Sequence, residues 1–389
     1  MEVDDLRRAL GEVMDRLGDA RTRVAGVGLA GMAESGAPLD RTGRPMAPVI
    51  AWHDGRGEEA VARLERKFGT DLAARVGQPL RAVMTVAKLG WLVENGVTGV
   101  VRWLGVPELG LQALTGEEAT EFSLAARTGC YDVAGRRWMP EVAEALRFGI
   151  DVFPAVMPAG AAMGRVSKNG AAWSGLPEDI PVTIAGHDHL AGMVGAGVGH
   201  DEVANSVGTA ETIVARTPTV PDISAALGLR VAVTVNPGGK EWAALVSAVR
   251  AGLVLEGAAS ALGRSLQELD GLAEGASPAD VADAVDAFAR GERPSLPDVG
   301  PGEVWAGLLA ALADRTADAY TRLTEVVGPA AGVVVFGGGS ASKPWLRAKA
   351  ERLPVPVRRS TVSSAVARGA ALQAGVAAGW WPTPPGVDG

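Results

Sequence analysis

Two short apolar runs, at 182–185 and 333–336, each pass through glycine straight into a segment of small residues suited to a helix. Runs of this length and composition read as buried strands, and a strand followed at once by a helix is the repeating unit of α/β architectures. The pattern extends along the chain. Leu6, Leu10, Val13 and Leu17 recur at helical spacing before the strand-like run VAGVGLA at 24–30. Further on, MAPVIAW reads as a strand, while GEEAVARLERKF and TVAKLGWLVENG read as helices, the latter closed by Gly96. The text VANSVGTAETIVAR predicts two short strands folded at Gly208 and Thr209, opening a second unit near residue 200. A length of 389 residues exceeds one ordinary core and suits two domains, with the ligand site expected in the cleft between them.

Composition removes several function classes. The opening segment is charged and helical in rhythm, unlike a secretory signal, and no apolar run reaches the roughly 20 residues of a membrane span, so a cytoplasmic protein with no membrane partner is expected. A formal charge of −8 without a basic, aromatic-interleaved stripe argues against nucleic acid as a partner. The single cysteine, Cys130, offers neither a disulfide nor a thiolate metal site and reads as a small packed thiol. The Pro-rich end at 379–389 shows no core pattern and is expected to be poorly ordered.

Three segments carry candidate chemistry. In AGHDH, Asp188 stands at the carboxyl end of a buried strand, where α/β folds place ligands; it reads either as a helix cap or as a base for a hydroxyl proton. His187, Asp188 and His189 suggest a metal site by type, but successive residues of a strand point to opposite faces, so all three are not expected to reach one ion. In SVGTAET, Gly208 and Thr209 read either as a plain turn or as a nest for phosphate oxygens. In VVVFGGGSAS, Gly337, Gly338 and Gly339 read either as packing glycines or as bare backbone on which a nucleotide can lie. The run lacks both the G-x-G-x-x-G fingerprint and the P-loop Lys-Ser/Thr pair, which weighs against those nucleotide folds and a dehydrogenase.

The order and spacing of these segments, together with VGLAGMAESGAPLDRTGRPMAPVIAWHDGR, LTGEEATEFSLAARTGCYD, GERPSLPD and ARGAALQAGVAAG, resemble the FGGY carbohydrate kinases of the actin-like superfamily over nearly the whole chain. The resemblance implies two actin-like (ribonuclease H-like) α/β domains with a cleft between them, divided as 1–197 and 198–380 with a tail at 381–389. It implies ATP-dependent phosphorylation of a small sugar, such as a ketose like xylulose, or of a polyol, with Mg²⁺. A homodimer is compatible with it. By position, Asp188 corresponds to the catalytic base and a metal contact. Gly208 and Thr209 correspond to the second phosphate turn, and Gly337, Gly338, Gly339 and Ser340 to the adenosine loop. Trp52, Asp54 and Arg56 match a W-x-D-x-R element beside the sugar pocket, which His187 and Glu34 would also contact. Glu34 follows the small Ala33, so the basic partner usual in glycerol-type kinases is expected to be absent. Each half of such a kinase starts with a phosphate-gripping hairpin. The sequence opens at a later helix, so the first domain is expected to be truncated, either because the true start lies upstream of Met1 or because the chain is a non-catalytic sugar- or nucleotide-binding remnant.

Overall fold

The strand Pro181–His187 is buried at every position but its last, as its apolar composition requires. In the computed structural model, which describes residues 3–385, it lies at the centre of a three-stranded sheet. Val27–Gly31 pairs with it in parallel and Gly164–Arg165 antiparallel. The register slips between Leu29 and Ala30, which faces Gly186, so the sheet is locally irregular just before the strand ends at His187. Asp188 then opens the helix Asp188–Gly195.

The second sheet has six strands. Ala232–Val235, Trp242–Val249, Glu211–Thr217 and Glu202–Val207 form an antiparallel series, and Gly332–Phe336 and Val357–Arg359 continue it in parallel. The helix Pro301–Val327 packs on this sheet; Pro301 fits its first turn, and Glu303 accepts the Gly300 amide at 2.8 Å. The two halves are joined by close backbone packing. The helix Ala365–Ala377 lies against Asp188–Gly195 and Val27–Gly31. A Cβ at Gly28 would come within 2.0 Å of Ala370 O, and one at Gly369 within 1.9 Å of Ala191 O, so this crossing requires glycine.

Several sequence readings need correction. MAPVIAW is not a strand: it contributes only the isolated bridge of Ile50 to Gly36, because Pro48 and the turn before it interrupt the ladder. The opening helix forms as Val3–Leu17, but Val13 and Leu17 are exposed, and among its described side chains Met14 is the buried one. Within the tail, Trp381 is docked, donating from Nε1 to Leu372 O at 3.3 Å and covering Gly375; residues 386–389 lie outside the described residues. Cys130 is fully buried against Met139 O, and burial pushes its thiol up to about 12, as an inert packed thiol should be. Among the described residues, no helix is long and apolar enough to cross a membrane.

Candidate active site

A cleft of about 1620 Å³ is lined from both sheets. Asp188 projects into it from the junction of strand and helix, with 36% of its side chain exposed. The carboxylate does not cap the helix in the usual way, accepting instead from the adjacent His189 amide at 2.7 Å. Burial pushes its pKa up, but the fields of His187, His189 and Arg127 and that amide outweigh burial and hold it below the ordinary carboxylate range. Burial drives His187 down to about 4, against the pull of Asp188, so its imidazole is neutral at physiological pH.

The junction is held from below. Gly186 adopts φ +104°, and a Cβ there would stand 2.8 Å from both Glu121 Oε2 and Ser123 Oγ. Ser123 Oγ accepts the His187 amide at 2.9 Å and itself donates to Glu121, which is completely buried. Glycine at 186 therefore lets the polar pair Glu121–Ser123 approach the backbone that aims Asp188.

The three neighbouring side chains His187, Asp188 and His189 do converge, with one ligand atom from each lying within 4.8 Å of the others. The strand-alternation argument fails because the backbone changes from extended to helical between 187 and 188.

On the adjoining wall, Glu34 supplies a carboxylate that is only 6% exposed. Its backbone is left-handed at φ +61°, an uncommon conformation for a residue with a side chain. The basic partner expected to be missing comes from elsewhere in sequence: Arg127 donates to Glu34 and also to Gln78 Oε1, and Arg81 stands 3.9 Å from the same carboxylate. Beneath them Lys88, fully buried, donates to Glu34 O at 2.6 Å and Ala51 O at 2.8 Å, tying the two loops together. Trp52 lines the cleft beside His53, with the rings edge to face at 5.4 Å. Asp54 and Arg56 do not line it; they pair with each other, and the Arg56 guanidinium lies 4.7 Å over the Trp91 ring.

On the opposite side, Gly208 and Thr209 form the turn between Glu202–Val207 and Glu211–Thr217, and both line the cleft. Gly252 packs under them, its amide donating to Thr209 O at 3.0 Å; a Cβ there would lie 2.7 Å from Thr209 Cα. Gly337, at φ +98°, brings the second glycine loop against Val207. Gly337 lines the cleft, whereas Gly338, Gly339 and Ser340 do not. Gly339 packs beside Val207 and Trp345, and the Ser340 hydroxyl turns back to Gly337 O at 2.7 Å. Sequence reasoning missed Arg127, Gln78, Arg81 and Lys88. Arg127 stands in the family-like text LTGEEATEFSLAARTGCYD, but nothing in its spacing announces a partner at position 34.

Residues 3–195 match the N-terminal domain of the FGGY family of carbohydrate kinases, and residues 271–378 match its C-terminal domain. The chain belongs to the FGGY family. L-fuculokinase of Escherichia coli (strain K12) is 31% identical over 201 residues, covering 51% of this chain and 43% of the relative, so the match spans under half of that relative's length. Glycerol kinase of Thermococcus gammatolerans is 27% identical over 397 residues, covering 96% of this chain and 79% of its own. Among solved structures, a xyloylose kinase from Brucella ovis superimposes with a TM-score of 0.83 at 22% identity, covering 95% of this chain and 81% of its own. Plasmodium falciparum glycerol kinase with ADP gives 0.82 at 18% identity, covering 98% and 82%. These likenesses establish for this FGGY chain the two-domain α/β fold.

Proposed function

We propose that this FGGY chain transfers the terminal phosphoryl group of ATP to a hydroxyl of a small ketose or polyol, with Asp188 as the general base. One observation carries the reading: Asp188 opens into the same cleft as the Glu34–Arg127 pair and the Gly208–Thr209 turn. A kinase needs an acceptor pocket, a base and a phosphate grip around one volume.

Asp188 is unprotonated at neutral pH, so it can take the proton of the acceptor hydroxyl as that oxygen bonds to phosphorus and the bond to the departing ADP oxygen breaks. Neutral His187 and His189 do not compete as cations for the incoming oxygen. Glu34 accepts hydrogen bonds from sugar hydroxyls, and Arg127 fixes its orientation. Trp52 offers a ring face or edge to carbon-bound hydrogens of the sugar.

On the nucleotide side, the Gly208–Thr209 turn and the Gly337 loop border the cleft where a polyphosphate would lie. Beyond its chain neighbours, Gly208 has no atom nearer than 4.0 Å to the position of an added Cβ, which leaves room for a phosphate beside the turn; its own amide is engaged by Ala210 O at 3.1 Å, so the Thr209 hydroxyl is the donor the turn offers. Gly337 presents bare backbone to the same cleft. Asp188 is the carboxylate here that would share a Mg²⁺ with the phosphates, and the ion would supply neutralisation of their charge. The substrates of this reading are metabolites of the cytoplasm.

An ADP-release assay with MgATP across pentuloses, hexuloses and polyols tests the proposal. Turnover with at least one acceptor is the expected result. Sugar or nucleotide binding with no turnover across the panel would instead describe a binding protein built on the kinase fold.

A further inference from the structure

We infer that His187, Asp188 and His189 form a binding site for a nitrogen-preferring divalent transition metal, with Zn²⁺ as its representative, distinct in chemistry from an ion that travels with nucleotide phosphates. Two imidazoles and one carboxylate are the donor set that suits such ions, whereas Mg²⁺ takes oxygen and retains its waters. The donors already converge, each ligand atom lying within 4.8 Å of the other two. A tetrahedral ion held about 2.1 Å from each donor needs them roughly 3.4 Å apart. His187 Nε2 and Asp188 Oδ1 have that spacing, at 3.4 Å.

The surroundings are those of a held ligand set. His189 Nδ1 is fixed by Ser206 Oγ at 3.0 Å, while Nε2 has only a 3.5 Å contact with Thr212 Oγ1 and so remains the nitrogen available to an ion. This is the arrangement in which a hydrogen bond to one ring nitrogen orients the other. The His187 backbone is fixed in turn by Ser123. All three residues line the cleft, so an ion has a path in and a fourth position open to solvent. The consequence for catalysis rests on the reading of Asp188 as base: an ion there occupies the lone pairs that the acceptor proton needs, and transfer stops until a chelator removes it.

Titration of the nucleotide-free chain with ZnCl₂ at pH 8, followed by calorimetry and by competition with a chromogenic chelator, tests the site. One Zn²⁺ per chain is expected, with affinity reduced at least tenfold in His189→Ala and in His187→Ala and unchanged in His200→Ala. Ser206→Ala keeps all three ligands, and a weakening of about tenfold is expected from loss of the tether. Circular dichroism confirms that each variant is folded. Absence of stoichiometric binding, or equal affinity in the wild type and both ligand variants, overturns the inference. Because binding is read without turnover, failure of the metal site with an active kinase is distinguishable from failure of the kinase reading with Zn²⁺ still bound.

Discussion

Arg127 places both Nε and a terminal guanidinium nitrogen on one oxygen of Glu34, at 3.0 and 2.6 Å, across 93 residues of sequence. The pair is nearly buried, with 16% and 6% of the two side chains exposed, so the carboxylate depends on this fork for its orientation. Lysine in its place keeps the charge but cannot reproduce the two-nitrogen contact. Arg127→Lys is expected to raise KM for the accepted sugar by about tenfold or more, as loss of a charged hydrogen bond implies, with a smaller change in kcat. Steady-state kinetics with the best acceptor check this, and an unchanged KM would remove Glu34 from the acceptor site.

Lys88 predicts a stability effect. Its ammonium is pulled down to about 8 by burial, against the attraction of Glu34 and Asp54, and it satisfies the Glu34 and Ala51 carbonyls that shape the pocket rim. Lys88→Met keeps the apolar stem and leaves both carbonyls without this donor. A loss of about 2–3 kcal/mol in urea unfolding is expected. A midpoint equal to wild type would show that the loops are held by other contacts.

Glu121 gives a pH signature. Burial raises its pKa to about 7, overcoming the hydrogen bonds from Ser123, and its Oε1 has no hydrogen-bond partner in the fold. The folded chain therefore keeps a proton that the unfolded chain has released above an ordinary glutamate value, and stability falls as pH rises from about 4.5 to 7. Glu121→Gln removes this contribution. The variant should show a flatter stability profile over that window and gain on the order of 3 kcal/mol at pH 8 relative to wild type. Melting curves from pH 4.5 to 8 decide it, and parallel profiles would contradict the assignment.

Gly337 tests the nucleotide side. Its φ of +98° disfavours a side chain, and an added Cβ would lie 2.4 Å from Val207 O, a backbone atom that cannot step aside without moving its strand. Gly337→Ala is expected to raise KM for ATP at least tenfold while leaving KM for the sugar within about twofold. An equal effect on both substrates would mean that the loop sets domain packing and not nucleotide affinity.

Local pattern made much of the fold legible. Pro181–His187 and Gly332–Phe336 are apolar enough to be read as buried strands, and Gly208 and Thr209 mark a hairpin between β-branched runs. What stayed hidden depends on tertiary placement. Asp54 and Arg56 sit two residues apart and solve their charges locally, with Arg56 stacked on Trp91, so a motif-like element lies off the cleft. Arg127 meets Glu34 only because separate elements converge, and no periodicity encodes that meeting. Strand alternation predicts that His187, Asp188 and His189 diverge, yet they converge because alternation lapses where the strand becomes a helix.

Asp188→Asn is the most direct test of the kinase reading, since the amide fills the same space and cannot accept the hydroxyl proton as a carboxylate does. Single-turnover phosphoryl transfer, measured beside equilibrium binding of sugar and nucleotide, is expected to slow on the order of 10³-fold while both affinities stay within a few-fold of wild type. Transfer within tenfold of the wild-type rate would contradict the assignment of Asp188 as the base.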